Sequence, residues 1–273
     1  MNFYAVLAAA ISDFAEHGYD SETRLQEWMR RLEIALHTSL PSVETQRNQM
    51  ELALGNAFKR AISDSRMKMA FPGIKKYTID HIKPSLRSEL TRRILLNADL
   101  IKINREEAIS ATLRRFAGWA SSVPEGGSRA IKPREEVTKI ASDVKKMGYI
   151  NRRRNTDQGM KLSSAIRSVV ATQTGAIAAQ WHHVQRTAGY EARPEHVARS
   201  GKVFAIRNNW AIEAGLMNKG AGYTDEIEQP AEFVYCSCSY IYINNLRDLP
   251  PDMLTEKGRQ ELERVRKEIN AKR

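Results

Sequence analysis

Apolar residues recur at three- and four-residue spacing through most of residues 1–181, and this period predicts a series of amphipathic helices. The first covers residues 1–17. The second follows Ser21, a typical N-cap residue, and the third follows a break at Pro41-Ser42. The apolar stripes of the second and third helices comprise Leu25, Trp28, Met29, Leu32 and Leu36, and Val43, Met50, Leu54, Ala57, Phe58 and Ile62.

The longest helical pattern covers residues 82–119, with Pro84 near its start, where proline is tolerated, and a break near Asn104. A loop rich in Gly, Ser and Pro follows over residues 121–133, and then a short helix. The basic segment 148–159 is predicted to be turn-like. Residues 162–181, with apolar side chains in helical register, are predicted to form the last core helix.

The pattern changes after about residue 188, where Gly, Pro and aromatic residues increase and helical stripes end. The segments "SGKVFAI" and "EFVYCSCSYIYI" alternate in β-prone residues and predict two strands. The chain between them reads as loop with one helical turn. A charged helix is expected at the C-terminus, with Leu262, Val265 and Ile269 as its stripe.

These elements predict an α+β protein that is mainly α-helical. It has a long helical N-terminal part, a small Pro/Gly-rich α+β C-terminal module and a charged C-terminal helix. The predicted segments are a helical docking region, a basic loop with a core helix, the C-terminal module and a charged tail, at residues 1–120, 121–188, 189–249 and 250–273.

The apolar N-terminus resembles a signal peptide only superficially. It has no basic n-region, and Asp13 and Glu16 follow at once, so we expect a helix of a cytoplasmic product rather than an export signal. No apolar run reaches the roughly 18–20 residues of a membrane span, so no membrane partner is expected. Two cysteines in 273 residues cannot form a disulfide framework, and they suit assembly in a reducing cytoplasm.

The net charge of +11 predicts an anionic partner. Residues 83–154 contain 17 Lys and Arg against 8 Asp and Glu, so most of the excess lies in about a quarter of the chain. No zinc-finger, RNP or helix-turn-helix motif is present to read bases, so we expect contact with the backbone of double-stranded DNA. The candidate DNA-binding residues are Lys145, Lys146, Arg152, Arg153, Arg154, Arg114 and Arg115. Alternatively, these cations form an ordinary solvated surface, or face an acidic protein.

Three residues of the C-terminal module, His196, Cys236 and Cys238, are of the types that bind zinc. A structural zinc site needs a fourth ligand, for which His182, His183 and Asp225 are candidates. A Cys-x-Cys pair on a strand would place both thiols on one face. We favour the simpler interpretation without a cofactor, in which His196 pins the loop by a hydrogen bond and the cysteines are small buried apolar residues.

Enzymatic interpretations have less support in the sequence. A cysteine activated by His196 lacks a recognisable orienting third group. The segment "EGGSRA" lacks the Lys-Ser/Thr of a phosphate-binding loop. Asp80, followed by His81, and Asp157 are isolated acids, for which turn and cap roles are commoner than catalysis.

The order "RPEHVARSGKVF", a loop, a proline and "YCSCSY" resembles the C-terminal domain of phage head morphogenesis proteins, the phage Mu F-like minor head protein family. The resemblance covers roughly residues 160–243. The positions that match the family pattern are Arg193, Pro194, His196, Gly201, Val203, Phe204, Pro230, Cys236 and Cys238.

The sequence departs from the family pattern at two places. Where the family often has an Asp-x-Arg-like step before Arg-Pro, this chain has "GYEARP". Where the family often shows Pro-x-Cys-Arg-Cys, Pro230 lies six residues before Cys236, and Ser237 stands in place of the arginine. A function that depends on that arginine therefore does not transfer to this chain.

The resemblance implies a non-enzymatic structural component of a phage particle, a minor capsid protein involved in head morphogenesis. Its implied partners are the portal protein or the major capsid protein, and packaged DNA. Its implied place is the capsid interior near the portal vertex, in multiple though few copies, after assembly in the host cytoplasm.

Two other functions fit part of the sequence. The first is a DNA-processing or toxin-like metalloenzyme that uses His196 with Cys236 and Cys238, since the family's domain also occurs attached to toxin domains. The second is a host nucleoid or RNA-binding protein, which the basic segment fits equally well but the C-terminal pattern does not.

Overall fold

The computed structural model describes residues 2–184 and 191–271, without the side chains of residues 64, 76–80, 83–85 and 98. The described chain is 67% helical and 7% strand, which confirms the predicted α+β, mainly α-helical class. The helices are α1 (Phe3–His17), α2 (Glu22–Ser39), α3 (Val43–Ala61), α4 (Asp64–Ala70), α5 (Lys76–Ser121), α6 (Pro133–Ile140), α7 (Ser142–Gln173), α8 (Pro194–Ala198), α9 (Trp210–Glu213) and α10 (Glu256–Ala271).

The strands are β1 (Ala178–His182), β2 (Val203–Ala205) and β3 (Ser239–Ile243), which form an antiparallel sheet in the order β2-β1-β3. Short 3-10 turns lie at Thr224–Glu226, Leu246–Asp248 and Pro251–Met253. Within the described residues, none of the helices has a stretch both long and apolar enough to cross a bilayer.

The chain divides into two compact units, Met1–Leu52 with Ile94–Asn155 (unit 1) and Ala53–Arg93 with Thr156–Arg273 (unit 2). The division into four segments at residues 120, 188 and 249 stays a prediction. The side chain of Asp80 and the residues "GY" before Glu191 lie outside the described part of the chain.

Unit 1 is a helical assembly with one apolar core. Phe3, Leu7, Ile11 and Phe14 on α1 are buried against α2, α5 and α6. Ser21 caps α2 as predicted, because its hydroxyl accepts from Arg24 N–H. The core residues are Phe3, Leu7, Ala10, Ile11, Phe14, Leu32, Ala35, Leu36, Ile109, Phe116, Ala120, Val123, Ile140, Ala141 and Val144.

Two predicted interruptions are absent, because α5 runs unbroken past Asn104 and α7 runs unbroken through the basic segment 148–159. One asparagine from each of these segments bonds to a neighbouring helix instead of forming a turn. Asn104 Nδ2 donates to Asn151 Oδ1 at 2.9 Å, and Asn151 Nδ2 donates to Gln46 Oε1 at 3.0 Å. This amide chain joins α5, α7 and α3 within unit 1, so the asparagines serve packing rather than chain reversal. α5 also begins earlier than predicted, eight residues before Pro84.

The predicted helix over residues 162–181 ends at Gln173. Gly175 adopts a left-handed conformation with φ of 68°, and the N–H of Ala176 donates to the carbonyl of Ala171 at 3.0 Å. This is the geometry of a glycine-terminated helix. Ile177 therefore directly precedes β1 and Trp181 lies in it, although the helical register of apolar residues continues through this segment of the sequence.

In unit 2, β1 is the central strand, with Ala179 opposite Phe204 of β2 and Tyr242 of β3. Phe71, at the end of α4, stacks on Tyr242 with ring centroids 5.0 Å apart. The predicted strand "SGKVFAI" is confirmed at β2. The second predicted strand is shorter than expected, because β3 begins at Ser239.

Candidate functional site

Three side chains that are distant in sequence meet in unit 2. His196 Nδ1 lies 3.5 Å from Cys236 Sγ and 3.6 Å from Cys238 Sγ. One nitrogen or sulfur atom from each residue lies within 4.8 Å of the others. All three residues are at most 5% exposed. The predicted grouping of these residues is confirmed, and we call it the His-Cys-Cys group; it could hold a metal ion.

His196 is positioned by α8 and by the central strand. Pro194 occupies the first turn of α8, where its fixed φ and missing N–H are compatible with a helix start. The imidazole of His196 meets the indole of Trp181, on β1, edge to face at 5.2 Å between centroids. Trp181 is fully buried. The ring of His196 is therefore fixed against the sheet rather than held by α8 alone, which is only five residues long.

The cysteines lie in the loop before β3, so the argument that a strand places both thiols on one face is wrong. This loop is held in a tight conformation: Ala231 and Tyr235 have φ of 67° and 68°. Few residues other than glycine adopt this region, and it costs on the order of 1 kcal/mol or more. Cys236 N–H donates to the carbonyl of Phe233 at 3.2 Å, and Ala231 N–H donates to Cys236 Sγ at 3.4 Å.

Asp157 of α7 supports this loop from the side. The residue is 8% exposed, and its Oδ1 accepts from the backbone N–H of Tyr235 at 3.3 Å. Tyr235 directly precedes Cys236, so the carboxylate acts on the part of the backbone that sets the direction of the Cys236 thiol. The sequence identified Asp157 only as an isolated acid, since nothing local connects it with a loop 78 residues later.

The two thiols do not ionise independently. A hydrogen bond from Cys238 lowers the pKa of Cys236 well below its usual value, against the opposing effect of burial. The same hydrogen bond, together with burial, raises the pKa of Cys238. The pair therefore favours one thiolate and one thiol, and a soft cation would favour ionisation of both.

The three candidates for a fourth ligand differ in their surroundings. His183 Nδ1 lies 3.5 Å from Cys238 Sγ. His182, the last residue of β1, is exposed. Asp225 binds Arg207 through both carboxylate oxygens, at 2.7 and 3.0 Å, and this interaction lowers the pKa of Asp225. His183 is therefore the candidate in contact with the His-Cys-Cys group.

Other residues of the motif make structural contacts in the same unit. Gly201, with φ of 81°, forms the turn before β2, and its N–H donates to the carbonyl of Trp181 at 2.9 Å. Phe204 is buried in β2. The guanidinium of Arg193 lies 4.9 Å from the centroid of the Phe233 ring and donates to the carbonyl of Val234. Each of these contacts is structural, and Trp181 is a neighbour that the sequence did not single out.

The basic residues predicted to contact DNA lie on α5 and α7, in unit 1. Arg114, Lys145, Lys146 and Arg152 are exposed, as contact with phosphates requires. Lys145 and Arg152 are seven residues apart on α7 and therefore share one face of that helix.

Arg115 and Arg154, which are predicted to bind DNA, also make contacts within unit 1. Arg115 pairs with Asp143 at 3.0 Å and donates to the hydroxyl of Ser142. Arg154 Nη1 donates to the carbonyl of Leu100 at 2.7 Å. Arg153 and Arg154 are half-buried. Replacing Arg115 or Arg154 would therefore disturb helix packing as well as charge.

Comparisons of this chain with family models, with curated proteins and with solved structures gave no match.

Proposed function

We propose that this chain is a non-enzymatic structural protein of a tailed-phage head, and that zinc bound by the His-Cys-Cys group stabilises its C-terminal module. The observation that supports the zinc proposal is the meeting of His196, Cys236 and Cys238 in one buried group. The head-protein proposal depends on the resemblance in the sequence, and the positions that match the family pattern include all three residues of that group.

The chemistry of the group favours zinc among the common divalent metals. Thiolate and imidazole ligands select zinc over calcium and magnesium, which prefer oxygen. Bound zinc would supply charge for two neighbouring thiolates and a fixed tetrahedral geometry. His196, Cys236 and Cys238 would hold it, and the N–H of Ala231 already donates to one of the sulfurs.

Burial favours a structural role over a catalytic one. A catalytic zinc site keeps a coordination position open to water or substrate. Here all three ligands are at most 5% exposed, and Trp181 and Phe233 flank the imidazole of His196. The alternative of a metalloenzyme requires an open path to the metal and a second catalytic group, and these contacts do not favour it.

We also propose that this protein binds the phosphate backbone of DNA through exposed cations of unit 1. Arg114, Lys145, Lys146 and Arg152 can approach phosphates without unpacking a core. Contacts of this kind are independent of sequence and weaken steeply with salt. Such binding suits a protein that meets packaged DNA of any sequence beside the portal or the capsid shell.

Mass spectrometry of purified particles tests the head-protein proposal. We expect this chain in a few copies per particle. After treatment of the particles with a chemical cross-linker, we expect its peptides to be joined to those of the portal or major capsid protein. If the chain is absent from particles and accumulates in infected cells, the proposal is wrong. Nuclease assays of the wild type and of His196→Ala would then test the metalloenzyme.

Elemental analysis of the purified chain under reducing conditions tests the zinc proposal separately. We expect one zinc ion per chain, and loss of that ion in the double variant Cys236→Ser, Cys238→Ser. A chain that folds and contains no zinc when supplied with it would contradict a structural zinc site.

A further inference from the structure

The His-Cys-Cys group provides three ligands, whereas a structural zinc site has four. The fourth ligand determines whether the metal is enclosed by protein or open to solvent. His183 brings a second imidazole to the group, with Nδ1 3.5 Å from Cys238 Sγ. This residue follows the end of β1 and is half-buried.

The nitrogen–sulfur contacts have the length of an edge of a zinc tetrahedron. His183 is near Cys238, whereas the set of ligand atoms that all lie within 4.8 Å of one another consists of His196, Cys236 and Cys238, so metal binding requires the His183 imidazole to move toward that set. With zinc–sulfur and zinc–nitrogen bonds of about 2.3 and 2.0–2.1 Å, a nitrogen and a sulfur on one ion lie about 3.5 Å apart. The distances here are 3.5 and 3.6 Å from His196, and 3.5 Å from His183. A hydrogen bond between imidazole and thiol has a similar length, and metal binding distinguishes the two arrangements.

The backbone explains why His183 and not His182 reaches the group. Consecutive side chains of an extended chain point in opposite directions. His182 pairs with Ser239 in the sheet and is exposed. His183, one residue later, contacts Cys238. The sequence alone offered both histidines as equal candidates.

We propose that His183 is the fourth zinc ligand and that the site is a closed Cys2His2 centre. This inference rests on the zinc proposal above and deepens it. Zinc bound in this way joins three segments of unit 2: the end of β1, the helix α8 and the loop that precedes β3. Since protein atoms occupy all four positions, no position remains for water or substrate, and the metal is structural.

The test compares the full-length wild type with His183→Ala and with a matched control, His182→Ala, which removes the neighbouring imidazole. Zinc affinity is measured by competition with a chromophoric chelator under reducing conditions. We expect the zinc affinity of His183→Ala to be lower by on the order of 100-fold or more. Removing a group that only orients a ligand already costs about 10- to 100-fold, and removing a ligand itself should cost at least as much. The control should bind like the wild type.

A third variant, His183→Cys, gives an independent spectroscopic result. A cysteine at this position supplies a thiolate instead of an imidazole. In the cobalt-substituted protein, the sulfur-to-cobalt charge-transfer absorption should increase because three thiolates bind in place of two. This variant also decides the question if His183→Ala fails to fold.

The outcomes separate the inference from the proposal on which it rests. If wild type, His183→Ala and His182→Ala bind zinc equally, His183 is not a ligand, although the zinc site itself stands. An unchanged cobalt spectrum in His183→Cys would overturn the inference in the same way. If the folded wild type binds no zinc, both the zinc proposal and this inference are wrong.

Discussion

The conformation of single residues in the cysteine loop shows how the His-Cys-Cys group is held before any metal binds. Tyr235 is a bulky residue in a left-handed conformation, which a chain adopts only where its surroundings enforce it. The buried carboxylate of Asp157 accepts the N–H of that residue and so helps to enforce it. A buried carboxylate needs such donors, because unpaired burial of charge is costly. The hydrogen bond from Tyr235 N–H to Asp157 therefore stabilises both the backbone conformation of Tyr235 and the buried carboxylate.

Replacing Asp157 should therefore weaken metal binding without touching a ligand. Asp157→Leu removes the acceptor for Tyr235 N–H, and we expect a 10- to 100-fold loss of zinc affinity, roughly that of other groups which orient ligands. We also expect about 1–3 kcal/mol lower free energy of unfolding. Asp157→Asn retains an oxygen acceptor and should lose less of both. Chelator competition and urea unfolding measure the two effects. Equal zinc affinity in the leucine variant and the wild type would contradict this role.

At the scale of whole elements, the apolar period correctly predicted the early helices, the loop over residues 121–133 and the C-terminal helix. It failed where polar residues face inward. Asn104 and Asn151 resemble chain breaks in the sequence, yet Asn104 is buried, Asn151 is half-buried, and each bonds to an amide of another helix. Partners 47 and 105 residues apart cannot be read from local pattern. Long-range hydrogen bonding overrode local preference at these positions.

The amide chain of unit 1 should be sensitive to loss of its middle member. Asn151→Leu removes a hydrogen-bond partner of Asn104 and of Gln46, and both of these amides are largely buried. We expect unfolding free energy to fall by about 1–3 kcal/mol for each group left unsatisfied. Urea denaturation measures the change, with Lys146→Leu, at an exposed position of the same helix, as the control. Stability equal to that of the control would show that the amides find other partners.

The exposed lysines of α7 provide a cleaner test of DNA binding than the three consecutive arginines, because Arg154 also holds the carbonyl of Leu100. Lys145→Ala with Lys146→Ala should weaken binding equally for unrelated duplexes. The slope of log affinity against log salt should fall by about 1 for each phosphate that the variant no longer neutralises. Arg266→Ala with Lys267→Ala removes two exposed cations of α10 as a control. An equal drop in affinity for the two double variants would mean that total charge, rather than this segment, determines binding.

At the scale of the whole molecule, each unit buries apolar residues of its own. In unit 1, buried apolar and aromatic residues come from α1, α2, α5, α6, α7 and the loop after α5. In unit 2, buried apolar residues pack around the three-stranded sheet, and the His-Cys-Cys group lies in the same unit. The class of the fold and the three residues of the His-Cys-Cys group could be predicted from the sequence. The position of His183 could not, because it depends on where β1 ends and which way its last residues point.

All the proposed zinc ligands belong to unit 2, so metal removal should act there. With the metal chelated, we expect amide hydrogen exchange to accelerate in β1, α8 and the loop before β3, because zinc binding energy is also folding energy for the segments it joins. Amides of α1 and α2 in unit 1 should keep their protection. Adding zinc back should restore the slow exchange, and magnesium should not, since thiolate ligands disfavour it. Faster exchange throughout both units, or no change in the loop before β3, would contradict a zinc centre that stabilises this part of the fold.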